Sequence, residues 1–369
     1  MKKYNVCHLT SVHSRYDIRI FLKECRTLSN SAFKVTLIVA DGKGDEILDG
    51  IKIFDVGKPV NRKKRIFKTT KKLFKKSLEI DADIYHFHDP ELIPIGLKLK
   101  KMGKKVIYDV HEDVSTQLLI KPYLNKISKV ILLNLIEIYE NYAAKKFDFI
   151  ITATPYIRDR FVKLNNRTID INNFPILEEF QNINFQMKKK NAICYIGGIS
   201  KARGIIELIK SLKYVDVTLY LAGEFETEKL KKEVMQLSGW NKVKYYGYVN
   251  RDKIKEIFSE SSVGIVNFLP EPNHTNALPN KIFEYMSASL PVVASNFPLW
   301  KEIVEGNDCG ICVDPTNPKE IAKAIEYLIT HPDETKKMGE NGRKAVLEKY
   351  NWEKESEKLL SLYRNLLEL

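Results

Sequence analysis

The chain has 369 residues, 44% of them hydrophobic by type, and a formal net charge of +13. That length exceeds one ordinary core, so two domains are expected, and no apolar run approaches the roughly 18 residues of a membrane span. Five scattered cysteines do not make a disulfide framework and point to reduced thiols and a cytoplasmic address.

Met1 to Thr10 is too short in its apolar part for a signal peptide and reads as a first strand. Short apolar runs follow at Lys34 to Val39, Ile51 to Val56, Ile84 to His88, Lys105 to Asp109, Phe149 to Thr152 and Thr168 to Ile171. Helical patterns such as Ile20 to Ser29 and Ile127 to Lys145 lie between them. That alternation predicts a parallel sheet flanked by helices. The pattern breaks near Asn172-Asn-Phe-Pro175, and residues 176–190, ending in Lys188-Lys-Lys190, read as a linker. A second series of strands runs through Ala192 to Ile196, Val217 to Ala222, Val243 to Tyr246, Val263 to Val266, Pro291 to Ala294 and Cys309 to Val313. Its helices include Ile205 to Leu212, Arg251 to Glu260 and Pro318 to Thr330, and Trp352 to Leu369 closes the chain. The expected organisation is an α/β fold of two doubly wound domains, 1–175 and 191–350, facing each other across a cleft, with 351–369 as a final helix. Cys309 and Cys312 form a C-x-x-C without a second pair or a nearby His, and read as small apolar residues of a strand.

Asn61 to Lys76 holds nine basic residues and no acid. Ile66, Phe67, Thr70, Leu73, Phe74 and Leu78 recur at helical spacing, which predicts one apolar stripe on a cationic helix. Such a helix suits an anionic membrane surface, with Phe67, Leu73 and Phe74 inserting if they face outward. The plainer reading is a solvated helix packed on its own domain. The run lacks the interleaved aromatics of a nucleic-acid binder, so nucleic acid is not an expected partner.

Two segments carry the chemistry of the second domain. In Ala277-Leu-Pro-Asn-Lys-Ile-Phe-Glu-Tyr, a loop closed by Pro279 enters a helix bearing Lys281 and Glu284. A helix start offers unpaired N–H groups to a diphosphate, Lys281 adds charge, and Glu284 is an acceptor for sugar hydroxyls. In Tyr195-Ile-Gly-Gly-Ile-Ser-Lys-Ala-Arg-Gly, Gly197 and Gly198 let backbone approach a phosphate, and Arg203 is a bidentate grip. A tight turn with a solvated Arg is the alternative. In Val243-Lys-Tyr-Tyr-Gly-Tyr-Val249, Tyr246 or Tyr248 is placed to stack on a base, or to pack as a core aromatic.

In the first domain Thr10-Ser-Val-His-Ser-Arg-Tyr-Asp-Ile-Arg, Tyr85-His-Phe-His-Asp-Pro-Glu91 and Tyr108-Asp-Val-His-Glu-Asp113 each follow or end a strand, and so converge on one crevice. His86 and His88 project on the same face, which suits a metal in principle, but the reading preferred here is a strand-end His bonded to an Asp.

These segments together resemble the signatures of retaining glycosyltransferases of family 4, which have the GT-B fold. The resemblance spans nearly the whole chain, and in that fold the closing helix around Trp352 crosses back to the first domain. It implies a nucleotide-sugar donor held by Gly197, Gly198, Arg203, Asn276, Leu278, Lys281, Glu284 and Tyr248, with Glu284 on the ribose. His111, His13 and Asp17 are implied as active-site residues, with His111 beside the transferred sugar; the alternative for His111 is a buried His bonded to Glu112 or Asp113. Two positions depart from the pattern. Gly198 stands where the family often has Arg, leaving Arg203 and Lys281 as the diphosphate pair. Asn276 stands where many members have a first Glu, and an amide that donates and accepts is a feasible replacement. The implied reaction is hexosyl transfer with retention: the leaving diphosphate's own oxygen helps to deprotonate the incoming hydroxyl, and no cofactor or metal takes part. The implied acceptor is a lipid-linked glycan of surface polysaccharide synthesis, at the inner face of the cell membrane. A nucleotide-sugar epimerase of the same fold, or a basic nucleic-acid-binding protein, are the rival readings.

Overall fold

In the computed structural model the apolar runs form the strands of two separate sheets, each at the centre of one compact unit. Residues 4–31, 33–112, 126–181 and 191–368 are described. The first unit is Met1–Asn173 with Glu353–Leu369, and the second is Phe174–Trp352. Residues 182–190 of the expected linker, and Asp113, lie outside the described residues.

The first sheet contains β1 (Tyr4–Leu9), β2 (Phe33–Val39), β3 (Glu46–Leu48), β4 (Ile51–Asp55), β5 (Ile84–Phe87), β6 (Lys105–Val110), β7 (Phe149–Thr152) and β8 (Thr168–Asp170). Their order is β3-β4-β2-β1-β5-β6-β7-β8, parallel except for the β3–β4 pair. The chain builds outward from β1 through β2 to β4, then returns to place β5 on its other side, so the order reverses between β1 and β5. Such a switch point leaves a crevice at the C-terminal strand ends. Because side chains alternate along a strand, Cys7, Leu9, Tyr85 and Phe87 fall on one face and enter an apolar core with Leu92, Leu99, Val106 and Phe147. The opposite face of β1 and β5 carries His8, His86 and His88, and helices cover that face too, so all three are buried.

The helix over that face begins with π-type turns, Ile18–Cys25, before an α segment, Arg26–Ser29. Asp17 caps it, accepting from the N–H groups of Arg19 (2.9 Å) and Ile20 (3.0 Å). Bonding from i to i+5 brings residues five apart onto one side, so Arg19 and Glu24 share the buried face. The closing helix, Trp352–Leu366, packs on the same unit through buried Leu359, Leu362 and Tyr363.

The basic run is helical over 62–80, with π-type turns at Arg65–Thr69. Its stripe faces inward at Thr70 and Leu73, and half-buried Phe74 packs against the same core. Of the three side chains named for membrane insertion, Leu73 and Phe74 are therefore turned to the sheet, because the core gains their area. Phe67 is 67% exposed. Arg65 is also neutralised, donating to Glu91 at 2.8 and 2.9 Å. Among the described residues no helix is long and apolar enough to cross a membrane.

The second sheet is parallel throughout: β9 (Ala192–Ile196), β10 (Thr218–Ala222), β11 (Val243–Gly247), β12 (Val263–Val266), β13 (Val292–Ser295) and β14 (Gly310–Val313), in the order β11-β10-β9-β12-β13-β14. Its switch point lies between β9 and β12, beside the Gly197–Gly198 turn.

Candidate active site

In the first unit the ends of β1, β5 and β6 bring three polar loops together. Asp89, just beyond β5, fixes the loop after β1: its Oδ2 accepts from the Thr10 hydroxyl (2.9 Å) and the Ser11 N–H (2.6 Å). That loop sets His13 within 3.2 Å of Asp17 and 3.5 Å of Asp89, with its ring centroid 4.9 Å from that of His111. His13, Asp17 and His111 are thus neighbours, and all three line a cavity of about 980 Å³. Arg62, Arg65 and Ile66 of the basic helix line it too.

Asp109 organises the floor of this cavity. Its Oδ2 accepts from Arg19 Nε (2.9 Å) and lies 2.9 Å from His111 Nε2 and 3.1 Å from His88 Nδ1, while Oδ1 accepts from Arg19 Nη2 (2.8 Å). Arg19 also donates to the Ile171 carbonyl at 2.7 Å. Burial would raise the Asp109 carboxyl, but the Arg19 guanidinium and the two histidines hold it well below the usual range. Burial pushes His88 down to about 4, so a neutral His88 ring donates Nδ1–H to the carboxylate. His111 makes its bond to Asp109, two residues back, and Asp113, one of the two partners named in the alternative reading, lies outside the described residues. That bond uses Nε2 and leaves Nδ1 for a partner from outside. For His13, burial opposes the charge, yet Asp17 and Asp89 outweigh it and raise its pKa. Asp17 is held below its ordinary value, since burial is outweighed by His13 and the Ile20 N–H.

In the second unit the two motifs are brought together by buried tyrosine packing. Tyr285 accepts a hydrogen bond from the Ile196 N–H at 3.0 Å, which docks the helix Asn280–Ser287 beside the end of β9. Gly197 follows with φ +138°, a conformation that favours glycine. A Cβ at Gly197 would lie 3.6 Å from Arg203 Nη1 and 4.0 Å from Lys281 Cε, and one at Gly198 would lie 3.0 Å from Arg203 Nη1. Arg203 and Lys281 therefore converge over the glycine pair. Arg203 Nη1 donates to the Gly198 carbonyl at 3.2 Å, and its guanidinium stands 5.3 Å from the Phe268 ring.

Glu284 is buried and pairs through one oxygen with Lys281 and through the other with Arg251 Nη1 at 3.1 Å. Burial would raise its pKa, but these two cations hold it below the ordinary value. Each oxygen keeps a second lone pair, so the carboxylate still has acceptor capacity for a hydroxyl. Asn276 and Leu278 are half-buried in the loop before the helix, where Trp300 Nε1 donates to the Ala277 carbonyl at 2.8 Å. Tyr248 lies beyond the end of β11 and is 80% exposed. Tyr246 is engaged by its own unit, against Tyr220 at 6.0 Å.

Sequence reasoning missed Asp109 as the common acceptor, Arg251 as the second partner of Glu284, and Glu24 altogether. The Asp109-x-His111 spacing on a strand was the available signal for the first. Arg251 and Glu284 are 33 residues apart on different helices, and no local pattern links them.

Comparison with known proteins gives each unit a family match. Residues 19–171 match the model "Glycosyltransferase Family 4", and residues 177–345 match "Glycosyl transferases group 1". An uncharacterised glycosyltransferase of Methanocaldococcus jannaschii is 27% identical over 182 residues, 48% of this chain and 45% of that protein. The capsular polysaccharide biosynthesis glycosyltransferase CapM of Staphylococcus aureus is 29% identical over 205 residues, 52% of each chain. Among solved structures, Anabaena HepE in complex with UDP and glucose superposes with a TM-score of 0.73 at 15% identity, over 98% of this chain and 100% of that one. At that identity the likeness shows the fold. The two Rossmann-like units are those of the GT-B class, and the chain belongs to the family-4 type of glycosyltransferases within it. It spans about half the length of the curated relatives it matches.

Proposed function

We propose that the protein transfers a hexosyl group, with retention of anomeric configuration, from a nucleoside-diphosphate sugar to a hydroxyl of a lipid-linked glycan in surface polysaccharide synthesis, as a cytoplasmic protein at the inner face of the membrane. The observation that carries the reading is the convergence of Arg203 and Lys281 over the Gly197–Gly198 turn. Two cations beside a backbone that can approach closely, near the start of a helix, are suited to a diphosphate whose charge grows as the sugar leaves. Glu284 accepts from the ribose, and Asn276 and Leu278 present the loop to the sugar. HepE, with UDP and glucose bound, shares this fold, which supports a nucleotide-sugar donor.

His111, oriented by the Asp109 carboxylate, contacts the transferred sugar, with His13 and Asp17 beside it. The leaving diphosphate oxygen takes the acceptor proton, so the protein supplies position and charge stabilisation, and no metal or cofactor takes part in the transfer. The basic helix contributes Arg62, exposed, and Arg65, paired with Glu91, to the cavity that His111 lines, and Arg62 favours an acceptor carrying a phosphate. CapM, a capsular polysaccharide enzyme, is similar over half of each chain, which favours a cell-surface glycan.

The test is a thermal-shift panel of nucleoside diphosphates and their sugars, followed by transfer assays with the best donor. Stabilisation should grow with the logarithm of donor concentration, and be lost in Arg203→Ala and Lys281→Ala. Each change removes a charge-assisted contact of about 1.5–3 kcal/mol, or roughly 10- to 150-fold in affinity. Full donor affinity in both variants would overturn the assignment. Formation of an epimer from donor alone would replace transfer by isomerisation.

A further inference from the structure

On the face of the first sheet away from the large apolar core, four side chains from three elements point at one another. His8 on β1 stands directly opposite His86 on β5, and His88 follows two residues on. Glu24 comes down from the π-type turns. All four are fully buried. The Glu24 Oε2 atom lies 3.9 Å from His8 Nδ1, 4.0 Å from His86 Nε2 and 3.9 Å from His88 Nε2, and the His8 and His88 nitrogens are 3.0 Å apart. Neither Glu24 oxygen has a hydrogen-bond partner among the described residues, and neither does His86 Nε2. Arg19 is beside the other oxygen, Oε1, at 3.2 Å, but its Nε and Nη2 donate to Asp109. A buried carboxyl group whose nearest cation is already bonded to Asp109, and a buried imidazole nitrogen with no hydrogen bond, are costly, and so favour an occupant.

The outward nitrogens strengthen the case. His86 Nδ1 lies 2.8 Å and His8 Nε2 3.4 Å from the Tyr363 hydroxyl, and His88 Nδ1 is 3.1 Å from Asp109 Oδ2. Each ring thus has a polar neighbour on the nitrogen facing away from Glu24, and of the inward nitrogens His8 Nδ1 and His88 Nε2 share one hydrogen bond at 3.0 Å, whose proton an ion would displace. Histidines that ligate a metal characteristically give their other N–H to such a partner. Zinc bound tetrahedrally at 2.0–2.2 Å from nitrogen and oxygen has ligand–ligand edges of about 3.3–3.5 Å. Four of the six edges here are 3.0 to 4.0 Å, which brackets that range, and all six are within 4.8 Å.

We propose that His8, His86, His88 and Glu24 bind one divalent transition-metal ion of zinc type as a closed structural site, separate from the donor site, clamping β1, β5 and the helix above them. With four protein ligands and full burial the ion has no open position for substrate, so its role is to hold the end of β1 that leads to His13 and the end of β5 that leads to Asp89. Asp109 joins ligand and active site, since the same oxygen faces His88 and His111.

The test is metal analysis of the full-length protein, grown with added Zn2+ or Co2+ and purified without chelator. The site predicts about one equivalent of ion per chain, and in the cobalt form visible d–d bands of four-coordinate intensity. X-ray absorption of the zinc form should show three imidazoles and one oxygen. Glu24→Gln, close to isosteric, should lower occupancy at least tenfold while nucleoside-diphosphate binding by the second unit persists. Less than a tenth of an equivalent in wild type overturns the proposal. So does equal occupancy in a folded Glu24→Gln, or a six-coordinate cobalt spectrum. Should Glu24→Gln fail to fold, the wild-type stoichiometry and absorption spectrum decide alone.

Discussion

At the residue scale, the roles assigned to His111 and Arg251 lead to different signatures. His111 has its Nε2 on Asp109 and its Nδ1 free of partners among the described residues. If it contacts the sugar as charge develops, His111→Ala should lower kcat with little change in nucleoside-diphosphate affinity. Normal kcat with poor nucleotide binding would remove it from that role. Arg251→Ala should destabilise the second unit by about 1–2 kcal/mol in denaturant titration. That exceeds an exposed pair, because Glu284 is buried, and falls below the roughly 3–5 kcal/mol of a fully buried pair, because the Arg251 side chain is 39% exposed. The same pair sets a pH dependence. Since the Glu284 pKa is depressed in the folded state, its contribution is complete above the ordinary value of 4.5 and is lost as pH falls through the folded value. Stability below pH 4.5 should therefore fall less steeply in Arg251→Ala than in wild type, and parallel acid profiles would show that Arg251 contributes nothing to the shift.

At the element scale, the central parallel strands were legible because they are apolar runs buried on both faces, as at Phe149–Thr152 and Val263–Val266. The edge strand Glu46–Leu48 was not, since three residues with two exposed carry no period. The segment Ile20 to Ser29 was read as ordinary helix, and nothing in a 3.6-residue period marks the π-type turns at Ile18–Cys25 that put Glu24 on the buried face beside Arg19. The clustering of His13, Asp17 and His111 was legible because all three follow strand ends, where the topology gathers them. The basic helix shows the limit of periodicity, which finds a stripe but not what covers it. Leu73 and Phe74 are covered by the sheet, leaving Phe67 and the charges for any membrane. Lys64, Lys68, Lys71 and Lys75 are exposed, and each contributes on the order of 1 kcal/mol near an anionic bilayer. Changing all four to Glu should release the protein from anionic liposomes and spare nucleotide binding. Activity on a soluble acceptor analogue should survive while that on a membrane-embedded acceptor falls. Equal liposome binding by wild type and variant would leave the helix a solvated surface.

At the scale of the whole molecule, the first unit is discontinuous in sequence, 1–173 completed by 353–369, while the second is a single stretch. The closing helix contributes buried Leu359, Leu362, Tyr363 and Leu366 to the first unit. Tyr363 also bonds His86 at 2.8 Å and packs its ring edge-on to Phe33 at 5.5 Å. Each buried leucine is worth about 1.5–3 kcal/mol in transfer alone. Losing three of them with the tyrosine approaches the 5–15 kcal/mol that hold an ordinary domain folded. Truncation after Trp352 should therefore unfold or loosen the first unit selectively. Hydrogen exchange resolved by peptide is the measurement: amides of β1 and β5 should lose protection in the truncated chain, while those of β9 and β12 keep theirs. A nucleoside diphosphate should still stabilise the truncated protein, because Arg203, Lys281 and Glu284 all belong to the second unit. Loss of protection in both sheets alike would mean that the two units fold as one cooperative body, and loss in neither would mean that the helix adds nothing to the core it covers.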